Sequence, residues 1–347
     1  MMPREAGVRF RDLRRLAANT LQYRRRDLVC AHPPVRFWLE SASACNLRCP
    51  MCPTGRLETG PSQGVMKASL FSKIVDEIVP YALDANLHFR GEPLLNQELP
   101  AMIRYASARG LRLRLETNAT FLTESFSNAV LDAGLHFLSF SVDGYAAEEY
   151  EKHRAGAKFE ETLAKITGFL ELKKKKRMRR PLTLLQVIEL PGVSESAARG
   201  GRQALRRRFQ GLPLDGYRVI APQRFAGQIP ESVTGSRHAW MNKTSGVKYT
   251  PCPYPWYAFV IGWDGTVYPC CEDMQGRYPL GRAGEDSILE MWNNSRMQDL
   301  RRNLREGRYG ELPMCRDCDI LWQKNVMGIS IKNFQDVKMF MKENLLR

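Results

Sequence analysis

From Arg36 to Pro222 the chain repeats one rhythm about six times: a short apolar run, then a longer stretch with apolar residues at helical spacing. RFWLES reads as a strand. ASLFSKIVDEIVPYAL reads as a helix, with apolar side chains at i, i+3 and i+4. NLHF is the next expected strand, and LPAMIRYASARG the next helix, stopped at Gly110. LRLRLET, HFLSFSV, LTLLQVIEL and YRVIAP are further strands. LTESFSNAVLDAG, FEETLAKITGFLELKK and SESAARGGRQALRRRF are the helices among them. Such alternation predicts parallel strands with helices packed outside. Six units fall short of an eight-fold closed barrel, so the expected fold is α/β, a partial (β/α)6 TIM-like barrel or else an open sheet. Ligands in such folds gather at the C-terminal ends of the strands, and every loop that follows a strand is a candidate site.

The flanking segments differ in character. Residues 1–35 are basic and amphipathic, and read as a helical extension ending at His32-Pro33-Pro34. Residues 36–222 form the expected core, and 223–250 a polar linker rich in Gly, Ser and Gln. Residues 251–320 read as a small cysteine-rich domain. Its PWYAFVIGWDGTVYPC is a hairpin turning at Asp264-Gly265, and DSILEMWNNSRMQDLRRNLREG a helix capped by Asp286 or Ser287. Residues 321–347 end in an expected helix, KNFQDVKMFMKENLL.

No run of about 18 apolar residues exists, so no membrane span is expected. The N-terminus lacks the apolar centre of a secretion signal, which points to the cytoplasm. Formal net charge is +15, concentrated partly in Lys173 to Arg180. A basic run can bind nucleic acid. Here no aromatic residues interleave with it, and Lys and Arg suit the last turn of a helix, so a solvated helix end is the expectation. Nine cysteines in a cytoplasmic chain point to metal or catalysis rather than disulfides. They fall in two clusters, with Cys30 apart.

The first cluster is CNLRCPMC, in the loop after the first strand. Cys45, Cys49 and Cys52 can face one metal centre and leave its fourth position open. A structural zinc with a distant fourth ligand would use the same residues. C-x3-C-x2-C at this place resembles the cluster loop of the radical S-adenosylmethionine (SAM) enzymes. The resemblance implies that the three cysteines hold a [4Fe–4S] cluster, that SAM chelates the open iron, and that reductive cleavage yields a 5′-deoxyadenosyl radical which takes a substrate hydrogen. Met51 stands where the family more often has an aromatic residue. FRGEPLL resembles the family's Gly-Glu-Pro segment and assigns Gly91, Glu92 and Pro93 to the SAM amino group. By the same likeness Thr117 and Asn118 line the site, and Ser141 and Asp143 bond the ribose. Arg154 faces the SAM carboxylate, and Gln186 and Ile188 lie near the adenine or substrate.

The second cluster is Cys252, Cys270, Cys315 and Cys318. The hairpin brings the first two together, and the following helix returns the C-x2-C pair. Four thiolates complete either a zinc or an iron–sulfur site. C-x12-G-x4-C followed by C-x2-C resembles the SPASM extension of radical SAM enzymes. No further cysteine follows Cys318, so the likeness is to the shortened twitch form, with one auxiliary [4Fe–4S] cluster suited to electron transfer. Cys271 adjoins a ligand, and strand alternation turns its side chain elsewhere. It reads as a packed thiol or as a hydrogen-atom donor. Cys30 reads as packing.

The resemblance implies a small-molecule substrate, an electron donor such as flavodoxin or ferredoxin, and an oxidoreductase. Oxidation or epimerisation of a polar metabolite, a sugar or cyclitol, is the favoured reaction, because the twitch form looks like that of aminocyclitol dehydrogenases. Peptide modification is the alternative, and the 35 residues before the first strand are short for a leader-binding module. A zinc-stabilised nucleic-acid-binding protein is the alternative of another class.

Overall fold

In the computed structural model, residues 10–56, 62–189, 195–234, 247–326 and 329–330 are described. Six parallel strands stand side by side in chain order: β1 (Arg36–Leu39), β2 (Asp84–Asn86), β3 (Arg112–Thr117), β4 (Phe137–Ser141), β5 (Leu182–Ile188) and β6 (Gly216–Ile220). Helix α1 (Phe10–Arg25) precedes them, and the short α2 (Pro53–Arg56) follows the cysteine loop. The crossovers are α3 (Ala68–Ile78), α4 (Leu99–Ala108), α5 (Glu124–Asp132), α6 (Ala147–His153), α7 (Phe159–Lys175) and α8 (Glu195–Arg208). Phe71, Ile74, Val75 and Ile78 of α3 are buried, and so are Leu99, Met102, Ile103 and Ala106 of α4, so each helix turns one apolar stripe to the sheet. Thr123 caps α5 by accepting from the Phe126 amide at 3.2 Å.

Beyond β6 come α9 (Glu231–Thr234), β7 (Val247–Tyr249), β8 (Ala258–Ile261), β9 (Thr266–Tyr268) and β10 (Gly281–Arg282). Helices α10 (Ile288–Trp292) and α11 (Ser295–Arg305) and strands β11 (Trp322–Val326) and β12 (Ile329–Ser330) follow. The hairpin β8–β9 does not stand apart. β8 lies parallel to β1, pairing Arg36 with Ala258 and Leu39 with Ile261, so one nine-stranded sheet runs β10-β9-β8-β1-β2-β3-β4-β5-β6. The sheet is open, a partial barrel. No described helix is long and apolar enough to cross a membrane.

Several elements differ from expectation. The second strand is Asp84–Asn86, earlier than NLHF. Past Asn86 the backbone is drawn off to the Arg114 carbonyl, to Ser41 and to the Glu40 carboxylate, which turns the chain toward Gly91. The extension's helix ends at Arg25, where Arg26 takes φ 57°. The single helix expected after Asp286 is two helices broken at Asn293-Asn294, because Asn294 caps α11 as Ser287 caps α10. Lys173 does not lie in solvent. It is 1% exposed and reaches Asp215 at 2.7 Å, while Lys174, Lys175 and Lys176 are exposed. The linker contributes α9 and β7, and the expected C-terminal helix lies outside the described residues.

Candidate active site

The loop after β1 is held by its neighbours before any thiol is considered. Ser41 Oγ donates to the Leu87 carbonyl at 2.8 Å, and Ser43 and Gly64 share three hydrogen bonds. The Ala44 carbonyl accepts from the Glu92 amide at 2.8 Å. Gly91 makes that approach possible, since a Cβ there would lie 2.3 Å from the Ala44 oxygen and 2.5 Å from the Ala42 oxygen. Gly55 does the same for the cysteine turn, where a Cβ would sit 2.6 Å from the Cys49 oxygen. Pro93 opens the single 3-10 turn that follows Glu92.

Cys49 is buried, whereas Cys45 and Cys52 are half-buried. The three thiols lie within one another's electrostatic reach, and Arg154 acts on Cys45 and Cys49. Burial pushes the Cys49 thiol up to about 12 and also raises Cys45. A metal must therefore displace these protons to bind. Three thiols on one loop, beside a buried cation, suit an anionic cluster that lacks one protein ligand.

Glu92 is buried, and its carboxylate accepts from Thr117 Oγ1 at 2.6 Å, the Asn118 amide at 2.8 Å and the Leu94 amide at 3.0 Å. Burial raises its pKa, and those hydrogen bonds oppose the rise. Asn118 also bonds Asn46 at 3.0 Å and lies 4.0 Å from the Cys45 sulfur. Asn46 in turn donates to Thr120 at 3.0 Å. Asp143 is 1% exposed. It accepts from Arg154 Nε at 2.6 Å and from the Ile188 amide at 3.1 Å. Burial works against the Arg154 charge, but Asp143, Cys49 and Tyr150 outweigh it and hold the guanidinium protonated. Ser141 and Gln186 are register partners on β4 and β5. The expected site residues are thus together, but Asp143 and Arg154 hold each other. The family resemblance assigns each a different part of SAM. Asn46, Thr120 and Thr54, whose hydroxyl bonds the Arg90 carbonyl at 2.6 Å, carry no motif and were missed.

The second set gathers from three segments. Cys252, Cys315 and Cys318 are buried and Cys270 half-buried, and Cys252 acts electrostatically on each of the other three. Cys315 and Cys318 share a tight turn, with the Cys318 amide on the Cys315 carbonyl at 3.1 Å. Tyr249 and Tyr254 lie beside them. Four thiols in an enclosed, aromatic-walled place suit a cluster with every iron ligated by protein. Cys271 corrects the strand argument: β9 ends at Tyr268, so alternation does not apply, and the Cys271 thiol bonds Cys270 and faces Tyr254. Cys30 is buried, with its thiol raised to about 11 by burial, as packing requires. Among the described residues, no three Cys, His, Asp or Glu side chains converge tightly enough to hold a single metal ion.

A buried ion pair joins the two regions. Arg90, next to Gly91, bonds Glu40 at 2.8 and 2.6 Å, and Glu40 also accepts from the Trp263 amide of the hairpin at 3.1 Å. The same guanidinium lies 5.4 Å from the ring centre of Tyr268, two residues before Cys270.

Residues 39–193 match the family model of the radical SAM superfamily, and residues 252–319 match the SPASM iron–sulfur cluster-binding domain. A 2-deoxy-scyllo-inosamine dehydrogenase dependent on SAM, from Niallia circulans, is 24% identical over 288 residues, 81% of this chain and 91% of the relative. The solved structure of BtrN with AdoMet and 2-DOIA has a TM-score of 0.54 at 20% identity, covering 85% of this chain and 94% of its own. Streptococcus suis SuiB bound to precursor peptide SuiA has a TM-score of 0.63 at 12% identity, covering 89% and 76%.

Proposed function

Because the chain belongs to the radical SAM superfamily and carries a SPASM-type domain behind its core, we propose that it oxidises a carbon bearing a hydroxyl on a small polar metabolite of the sugar or cyclitol class. The observation that carries this reading is the likeness to a cyclitol-amine dehydrogenase across four-fifths of the chain, beside a SPASM match over residues 252–319. When bound, a [4Fe–4S] cluster on Cys45, Cys49 and Cys52 supplies with SAM a 5′-deoxyadenosyl radical, and a second on Cys252, Cys270, Cys315 and Cys318 supplies an electron acceptor.

The chain's own residues then divide the work. Glu92, fixed by Thr117, Asn118 and Leu94, presents a carboxylate to the SAM ammonium. Arg154, oriented by Asp143, offers the SAM carboxylate its remaining donors. Gly91 and Pro93 keep Glu92 against the cysteine loop. Gln186, Ser141 and the Ile188 backbone form the wall where β4 and β5 end, against nucleoside or substrate. The first electron comes from a reduced carrier such as flavodoxin or ferredoxin, and the reaction runs in the cytoplasm. If the product were an epimer, Cys271 would return the hydrogen atom.

The test is anaerobic incubation of the reconstituted enzyme with cyclitols and sugars deuterated at the carbinol carbons. Deuterium in 5′-deoxyadenosine and a ketone three mass units lighter than the labelled alcohol are expected. Deuterium transfer from a peptide and from no polyol would instead support peptide modification, the activity implied by SuiB's bound precursor.

A further inference from the structure

The two faces of the parallel sheet are unlike. Toward the helices it presents Phe37, Leu39, Leu113 and Leu115, all fully buried. Along β1 to β3 the opposite face carries Arg36, Asp84, Asn86, Arg112 and Arg114 in register, unlike a packed barrel interior. At the C-terminal end of that face, His88 follows β2 and Glu116 is the penultimate residue of β3, in register with Ser139 of β4.

The carboxylates at these strand ends differ in how far they are committed. Glu40 is closed on Arg90, Glu92 is held by three donors, and Asp143 is closed on Arg154 and the Ile188 amide. Their exposures are 0, 3 and 1%. Glu189, on β5's far side, is bonded by Arg202 and Tyr145. Glu116 is the more open, with its side chain 34% exposed and His88 Nε2 as its nearest ion-pair partner among the described residues, at 3.9 Å. It stands one residue before Thr117, which bonds Glu92, and two before Asn118, which reaches Cys45.

His88 is tied to the Glu116 backbone and lies beside that carboxylate. Its Nδ1 accepts from the Glu116 amide at 3.2 Å, which leaves the ring proton on Nε2, facing Glu116 Oε2. Burial lowers the His88 pKa and Arg114 adds to that, while Glu116 opposes it, so the imidazole is neutral.

We propose that Glu116 is the catalytic proton acceptor for the substrate hydroxyl and that His88 is its positioning residue. This rests on the dehydrogenase reading above. Removal of the carbinol hydrogen atom by the 5′-deoxyadenosyl radical leaves a carbon radical that still carries O–H. Closing it to a ketone breaks the O–H bond, forms the C=O π bond and releases one proton and one electron. The proton goes to the Glu116 carboxylate and from there to solvent. The electron would go to an oxidised [4Fe–4S] cluster that Cys252, Cys270, Cys315 and Cys318 would hold.

The test compares wild type with Glu116→Gln, Glu116→Asp and His88→Asn. Glu116→Gln is expected to lower kcat for ketone formation on the order of 10²-fold, with KM moving by less than about threefold, and Glu116→Asp to recover part of the loss. His88→Asn is expected to fall between wild type and Glu116→Gln. A readout that needs no cofactor is the ¹⁵N histidine spectrum of the purified protein, in which Glu116→Gln lowers the His88 titration midpoint. Ketone formed by Glu116→Gln at the wild-type rate, or a loss confined to KM, overturns the proposal. A wild type that forms no ketone from any polyol overturns the dehydrogenase reading instead. An unmoved His88 midpoint overturns the pairing by itself.

Discussion

The two cysteine sets differ in where their ligands come from and in what surrounds them. Cys45, Cys49 and Cys52 lie within eight residues of one loop, among the amide and charged groups of Asn118, Glu92 and Arg154. Cys252, Cys270, Cys315 and Cys318 come from three segments spread over 67 residues and sit beside Tyr249 and Tyr254. The first set has polar groups waiting for a ligand. The second has walls. An open iron needs partners for a substrate's charges, whereas a relay needs only insulation and a fixed place, and the two surroundings differ in that sense.

The largest effects should come from emptying one set at a time. Cys45→Ala, Cys49→Ala and Cys52→Ala together should reduce 5′-deoxyadenosine formation to background and lower iron from about eight to about four atoms per chain. Cys315→Ala with Cys318→Ala should lose the same amount of iron. SAM cleavage would continue and ketone would fall to background. Anaerobic iron and sulfide analysis with product chromatography checks both arms. Loss of SAM cleavage in the second variant would collapse the distinction between the sets.

The same contrast explains what could be read from the sequence. The first set is local, so spacing alone brings its thiols together, and the strand–helix rhythm put the loop at the C-terminal end of β1. The order β1 to β6 followed from parallel strands and short crossovers. What escaped was non-local. Nothing in PWYAFVIGWDGTVYPC says that Ala258 will pair with Arg36 and extend the sheet past β1. The bond from Asp143 to Arg154 depends on two side chains meeting across a loop and a short helix, and α6 itself had no long apolar stripe to announce it. Lys173 looked like its solvated neighbours, because its partner Asp215 is 42 residues away.

The joint between the two regions can be broken separately. Arg90 and Glu40 are both nearly inaccessible, with side chains 4 and 0% exposed, and the pair holds the Gly-Glu-Pro loop to the hairpin. Glu40→Gln strands a buried guanidinium, which should cost about 3–5 kcal/mol of unfolding free energy. Denaturant titration of the anaerobic protein measures this. If the joint also aligns the two sites, ketone per 5′-deoxyadenosine should fall in this variant while iron content stays near eight. A cost below about 1 kcal/mol would mean that the hairpin holds its place without the pair.

The smallest effect separates acid sensitivity of the fold from that of either cysteine set. His136, just before β4, has an Nδ1 with no hydrogen-bond partner among the described residues. Burial, with Arg180 and Arg112 adding to it, lowers its pKa from 6.5 to about 4. Between those values the unfolded chain takes a proton that the folded chain refuses. Stability from this residue is therefore complete above pH 6.5 and is lost progressively as pH falls toward about 4. The loss should amount to about 1–3 kcal/mol. His136→Gln should flatten that limb in unfolding curves taken from pH 7 to pH 4, because glutamine has no proton to gain. If the acid limb keeps its slope in the variant, the loss arises at the cysteine sets or at the carboxylates around them. The acid response would then report on the two sites and not on the strand ends opposite.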